Sequence, residues 1–208
     1  MEHKAWHHFL TITQHKLLVM QNCFRVGLFK QGLLHDLSKY SPAEFLTGVH
    51  YYQGDRSPNA AEREEKGYSS AWLHHKGRNK HHFEYWIDFS RTSQGIAGAK
   101  MPVNYLVEMV MDRIAACKVY RGKDYTDASA WEYYQRERPY LNSAMHTETK
   151  ADLEKIPMLA REDIKREAAP FINEELHVEA ARRKDNVFLF AETFEKRKLL
   201  VRMVYHDP

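Results

Sequence analysis

Cysteine is nearly absent from the sequence: Cys23 and Cys117 are the only two in 208 residues, and they share no CxxC or comparable spacing. That excludes a disulfide framework and a thiolate zinc site, and it fits a reducing compartment. Long apolar runs are absent too. None approaches the ~18 residues needed to span a bilayer, and Met1 to His8 is polar and rich in histidine. A cytoplasmic protein with no membrane association is therefore expected. An excess of one charge sign is also missing, since 31 basic against 28 acidic residues leave +3, too little by itself to imply a nucleic-acid partner. No internal repeat or convincing strand pattern is visible, although Asn186 to Phe190 is locally compatible with a strand.

What is present is an ordinary globular composition, 43% apolar and 28% charged, in a chain long enough for one domain, or one domain with an extension, around a self-sufficient core. The unusual figure is histidine. There are thirteen, with adjacent pairs at His7-His8, His74-His75 and His81-His82.

Three-to-four spacing of Trp6, Phe9, Leu10, Leu17, Leu18 and Met20 predicts a helix over His3 to Arg25, ended by Gly27. A second helical piece is expected from about Leu28 to Lys39. Ser41-Pro42-Ala43-Glu44 then supplies an N-cap, a proline in the first turn and a capping-box glutamate. Ser57-Pro58 opens a helix through Glu62-Arg63-Glu64-Glu65, a run expected to be a solvated face. Ser69 caps a further helix carrying His74 and His75, and Gly77-Arg78-Asn79 marks a turn. The clearest internal helix runs from Val103 to Tyr120 after Pro102. Beyond it Trp131 to Arg138, Ala151 to Ile156, Ile164 to Ala168 and Asn173 to Val204 read as charged, helix-prone segments separated by Pro139, Pro157 and Pro170.

Four features stand in order: His15 in the first helix, the pair His35-Asp36, the histidine block from His74 to His82, and Asp112 in a later helix. This order resembles the HD-domain superfamily of metal-dependent phosphohydrolases, whose signature is a histidine, a His-Asp pair and a distant aspartate on successive helices. Leu34-His35-Asp36-Leu37-Ser38-Lys39 is similar to the subgroup in which a lysine follows the pair by three positions. The runs His35 to Phe45 and Ala71 to Trp86 resemble a bacterial family of HD-like proteins of unknown function. The likeness covers roughly residues 10–125. It implies an all-α, HD-domain-like helical bundle over 1–125, with five or six core helices, and a helical C-terminal extension over 126–208 that packs on it, covers the site or makes a homodimer. It also implies a metal held by His15, His35, Asp36 and Asp112. In members with two metals, further histidines lie between the His-Asp pair and the last aspartate, where His74 or His75 and His81 or His82 stand here. One member of each pair can instead be a supporting donor or a substrate contact.

The chemistry also follows from the residue types. Imidazoles with carboxylates make a mixed N/O site that suits Mn, Fe, Co, Ni or Zn, one ion or two, better than Mg or Ca. Asp36 is the candidate to orient or deprotonate a water and Lys39 to neutralise phosphate charge. Lys76, Arg78 and Lys80 are the candidates to hold outer phosphate oxygens. The expected partner is a small phosphorylated substrate, nucleotide-like, with hydrolysis of an ester or diester as the reaction.

Plainer readings exist for each feature. A His-Asp pair alone occurs by chance, His15 alone could be a core histidine, and Asp112 could pair with Arg113 on a solvated face. The block from His74 to His82, with Lys76, Arg78 and Lys80 alternating with the aromatics Trp72, Phe83, Tyr85 and Trp86, could be a basic solvated loop or a nucleic-acid patch on a non-catalytic regulatory module, a partner not favoured. A di-iron oxygenase on the same scaffold is the rival chemistry. The remaining histidines, His7, His8, His50, His146, His177 and His206, are expected to be structural or solvent-exposed. Tyr40, Tyr51 and Tyr52 could line a nucleobase pocket.

Overall fold

In the computed structural model the described residues are 2–90, 95–155 and the strand segments 177–183, 186–193 and 196–204, the last three by their backbone. The fold is mostly helical, as expected. Helix α1 (Glu2–Arg25) contains no glycine or proline, and its buried positions His8, Ile12, His15, Val19, Asn22 and Cys23 recur every three or four residues. The stripe that faces the core therefore also carries His15. Gly27, with φ +79°, ends the helix: its N–H donates to Phe24 O at 3.1 Å and that of Leu28 to Cys23 O at 2.8 Å. That left-handed closure needs a residue without a Cβ.

Helix α2 (Phe29–Leu34) then turns back along α1. A Cβ on Gly32 would meet Cys23 Cβ at 3.0 Å and Met20 Cα at 3.2 Å, so the two backbones touch at this glycine. The expected single helix to Lys39 is corrected here. It breaks at His35-Asp36, where Asp36 adopts φ 54°, the only positive φ of a non-glycine residue among those described, before a 3₁₀ turn over Leu37–Tyr40. Lys16 Nζ caps the break by donating to Leu33 O at 2.7 Å and His35 O at 2.9 Å.

Helices α3 (Pro42–Tyr51), α4 (Pro58–Lys66) and α5 (Ser70–Lys76) follow. Ser69 caps α5 as expected, its hydroxyl accepting from Trp72 N at 3.0 Å. Two other expectations fail. Glu44 does not close a capping box at Ser41, and Glu62 is not solvated: it is 0% exposed and accepts from the hydroxyls of Ser69 and Ser70, each at 2.6 Å. Burial disfavours its charge, but those hydroxyls and the backbone N–H groups of Ser70 and Ala71 hold its carboxyl down at about 2. Glu62 thus staples α4 to the start of α5 and fixes where the histidines of α5 point. Glu62→Ala is expected to cost about 3 kcal/mol in a urea melt at neutral pH, because buried hydroxyls lose their acceptor. Wild type should lose this contribution as pH falls below ~4.5 towards 2, the depressed group being protonated there. A cost under ~0.5 kcal/mol would show that the staple is not structural.

After a 3₁₀ turn over Phe83–Trp86 come two short strands that the sequence did not announce, β1 (Ile87–Ser90) and β2 (Gly95–Gly98), antiparallel with Phe89 opposite Ile96. Helix α6 (Val103–Arg121) is buried on most of its circumference. On one side Ala115 packs with Val19 and Cys23 of α1, and on the other Leu106, Met109 and Val110 pack with α7 (Ser129–Ala144) and α8 (Thr147–Lys155) through Tyr134, Leu141 and Leu153. The core is thus continuous across residue 125. Pro139 lies inside α7 rather than between helices, since burial of Tyr134 and Leu141 on either side outweighs the lost helical hydrogen bond.

The expected helix over Asn173 to Val204 is also corrected. Strands β3 (His177–Arg183), β4 (Asn186–Thr193) and β5 (Lys196–Val204) form an antiparallel meander. Its centre is the run Val187-Phe188-Leu189-Phe190, whose β-branched and aromatic side chains suit a pleated surface better than a helix. The segment Ile164 to Ala168, Pro157 and Pro170 lie outside the described residues.

Candidate metal centre

Three elements meet where α2 breaks. Helix α1 delivers His15, the break delivers His35 and Asp36, and α6 delivers Glu108 and Asp112, one turn apart on one face. The end of α5 and the turn after it add His75, His81 and His82. His35 and Asp36 are each 1% exposed.

The four side chains His15, His35, Asp36 and Asp112 come together. His15 Nε2 lies 2.8 Å from Asp112 Oδ1 and 3.6 Å from Asp36 Oδ2; His35 Nε2 lies 3.3 Å from Asp36 Oδ2 and 3.5 Å from Asp112 Oδ1. A second group is built on the other oxygen of the same carboxylate. Asp36 Oδ1 is 3.3 Å from His75 Nε2 and 3.4 Å from His81 Nε2, and His82 completes the set. Asp36 faces both groups at once, one oxygen to each.

These contacts are not ordinary hydrogen bonds. His15 Nε2, His35 Nε2, His81 Nε2, His82 Nε2 and Asp36 Oδ1 are buried with no aligned partner, despite the short separations, and Asp36 Oδ2 has the Lys39 ammonium beside it. Buried polar atoms are nearly always satisfied, so five orphans at and around one carboxylate call for something that accepts lone pairs. Two ligands each ~2.1 Å from a cation stand ~3.0 Å apart at a right angle and ~3.4 Å apart in a tetrahedron. The observed 2.8 to 3.6 Å is that spacing. The buried histidine and aspartate groups could hold a metal ion.

Two outer carboxylates set the imidazole orientations. Glu108 Oε1 is 2.9 Å from His35 Nδ1 and 3.3 Å from His81 Nδ1, so both rings turn Nε2 towards Asp36. Glu44 does the same on the other side, 2.8 Å from His75 Nδ1 and 2.6 Å from His74 Nδ1. A carboxylate behind a histidine fixes the tautomer and raises its basicity as a ligand. Neither glutamate was read as a site residue in the sequence. The capping-box signature drew Glu44 elsewhere, whereas Glu108 carried a signal, standing four residues before Asp112.

Electrostatics follow from this packing. Burial alone would lower His35, but the charge of Asp36 and the acceptor oxygens of Asp112, Asp36 and Glu108 close to its ring nitrogens raise it well above its ordinary value. Burial likewise opposes His75, which Asp36 and Glu44 raise. His81 and His82 are lowered by burial and by neighbouring imidazoles, which keeps them in the neutral form a cation needs. Burial works against the charges of Asp36 and Asp112, yet the surrounding histidines hold both well below the usual carboxylate range. Lys39 Nζ is ion-paired with Asp36 Oδ2 at 2.5 Å. Burial opposes its charge, and Asp36 and Asp112 reverse that and raise it.

The site opens into a cavity of about 590 Å³ whose wall includes His15, Lys39, His75, His82 and Asp112. The cations expected to hold phosphate lie away from this cavity. Lys76, Arg78 and Lys80 do not line the cavity; Arg78 Nη1 donates back to His74 O at 3.3 Å, and Lys80 sits 5.8 Å from the ring centres of Tyr85 and Tyr105. Consecutive helical residues diverge by ~100°, so proximity in sequence to His75 carries a side chain away from it. The cations on the wall are Lys39, Arg56, Arg113, Arg121 and Arg136. His74 stands outside both groups, held by Glu44. Tyr40, Tyr51 and Tyr52 do not line the cavity, whereas Tyr120, Tyr133 and Tyr140 do. Among the described residues no helix is long and apolar enough to cross a membrane.

No curated protein and no solved structure matches the chain. A family match spans residues 4–159, which contain every side chain of both groups, and the chain belongs to that family, described as a family of unknown function (DUF5662).

Proposed function

We propose that this chain is a metal-dependent phosphohydrolase of the HD type, acting on a phosphate ester or phosphodiester of a small, nucleotide-like molecule. The observation that carries this reading is the single carboxylate, Asp36, with one oxygen towards His15, His35 and Asp112 and the other towards His75, His81 and His82. Divalent Mn, Fe, Co, Ni or Zn suits such a nitrogen-rich, thiolate-free donor set, and it would acidify a water and polarise a phosphoryl oxygen in one place. The chain's own groups do the rest. Asp36 orients the water. Lys39, at the cavity wall, sets a positive charge against the phosphate oxygens. Glu44 and Glu108 hold the imidazoles in the tautomer that leaves Nε2 free.

A second reading rests on the imidazole-rich group around Asp36 Oδ1, which also suits iron: a di-iron oxygenase on this scaffold. One experiment separates them. Elemental analysis of freshly purified protein, with turnover of nitrophenyl phosphate in Mn or Co, is expected to give one to two ions per chain and metal-supported hydrolysis. Two irons with an oxygen-sensitive absorption spectrum and no hydrolysis would move the assignment to the oxygenase. A metal-free protein with no response to added metal would sink both.

A further inference from the structure

The cavity continues past Asp112 to a second group of cations on α6 and α7. Arg113, the next residue, is 7% exposed and lines the wall. Its Nη2 donates to Glu137 at 2.7 Å, but its Nη1 is buried with no partner. A guanidinium presents a planar fork of donors, and a buried donor left open is costly enough that such groups are nearly always satisfied. Arg136 lies over the Tyr133 ring at 5.7 Å and has no carboxylate partner among the described residues. Arg121 also lines the wall and is paired with Glu132 at 2.9 Å.

All three arginines lie on the wall of this one cavity, with Cys117 among them. Cys117, one turn beyond Arg113 on α6, has its thiol pushed up by burial, while Arg121, Arg136 and Arg113 all pull it down. Two of the three arginines are paired with carboxylates, Arg113 with Glu137 and Arg121 with Glu132, which leaves the charge of Arg136 and the open Nη1 of Arg113. Glu137 is already taken by Arg113, and burial pushes the Glu84 carboxyl up, towards its neutral form.

We propose that Arg113 and Arg136 form an anion subsite at the α7 end of the cavity, which takes a second phosphate group of the substrate, away from the bond that is hydrolysed. The preferred substrate class is then a small molecule with two phosphates set apart, a sugar or nucleoside bisphosphate rather than a simple monoester. As a statement about substrate this rests on the phosphohydrolase reading. The anion subsite itself does not, because its donors are protein side chains alone.

The test uses the full chain stripped of metal with a chelator and titrated with inorganic phosphate by calorimetry, at low and high salt. Wild type is expected to bind one phosphate, more weakly as salt rises. Arg113→Met and Arg136→Met are each expected to weaken that binding tenfold or more. Arg136 is exposed, so its variant reads the subsite even if Arg113→Met fails to fold. Phosphate affinity unchanged in folded Arg136→Met and Arg113→Met, or no phosphate bound by the stripped wild type, overturns the subsite. With metal restored, wild type is expected to turn over a bisphosphate with a kcat/KM at least tenfold above that for nitrophenyl phosphate. Equal values overturn the substrate assignment. Phosphate binding that depends on Arg113 in a protein that hydrolyses neither compound, whatever metal is added, removes the hydrolase reading and leaves the anion site standing.

Discussion

Asp36→Asn is expected to strip the cations of both groups at once and to lower hydrolysis by a factor on the order of 10²–10³ or more. Asparagine is the right replacement because it keeps the shape of the side chain and tolerates the left-handed backbone found at φ 54°. Alanine would add backbone strain to the lost ligand. Asp112→Asn makes the contrast, since Asp112 belongs to the group with His15 and His35 and not to the one with His75, His81 and His82. It should lose one ion and keep the other. Metal content measured on both purified variants decides the matter: full retention in Asp36→Asn would remove the shared carboxylate from the centre.

The second large effect is a dependence on pH that reverses between the stripped and the loaded protein. Without a cation, protons on His35 and His75 are what balance Asp36, Glu44, Glu108 and Asp112. Both imidazoles are raised in the folded state, chiefly by Asp36, whose charge outweighs their burial. A raised group contributes stability that is complete below its unfolded value of ~6.5 and is lost as pH climbs through its folded value. The carboxylates are depressed, so their contribution is present above ~4 and is lost as pH falls. His81 and His82 are lowered, so their contribution is lost in the opposite direction, as pH falls below ~6.5, and the stripped protein is therefore most stable near that pH and weakens towards alkaline solution. A divalent cation replaces those protons, and its binding tightens as they leave. With metal at ~1,000 times its dissociation constant the gain is about 4 kcal/mol, or roughly 10 °C in a chain of this size. The rise in Tm on adding Mn should thus be near zero at pH ~5 and approach that figure at pH ~8. Equal increments at the two pH values would show that protons and cation do not compete for these side chains.

Much of the inner set was legible because it announces itself by residue type. His15, His35, Asp36 and Asp112 are spaced so that successive helices can bring them together, and they do come together. The pairs were only half legible. Periodicity does not say which of two adjacent side chains faces inward, and the structure turns His75 in and His74 against Glu44, while His81 and His82 both reach the second group. Glu44 and Glu108 were missed for a different reason: Glu44 read as a helix cap, and the four-residue spacing of Glu108 and Asp112 marks a shared helix face without saying that the carboxylate acts through an imidazole. The cations expected to hold phosphate were chosen by nearness along the chain, which is not nearness in space. Lys76, Arg78 and Lys80 neighbour the histidines in sequence, yet the cavity draws Arg113, Arg121 and Arg136 from α6 and α7. In the fold, the helices with clear caps were readable, whereas the meander from His177 was hidden by its charged residues, which mask the apolar run at its centre.

Helix α6 has one more implication. It carries Glu108, Asp112 and Arg113 within six consecutive positions of an unbroken rod, a span of ~7.5 Å along the axis. Both faces of that rod are packed, so it has no slack to stretch or bend locally. The spacing between the carboxylates of the candidate metal centre and the Arg113 backbone is consequently set by the helix itself, and on the proposed assignment it would act as a fixed gauge, sorting compounds by the reach between their two charges.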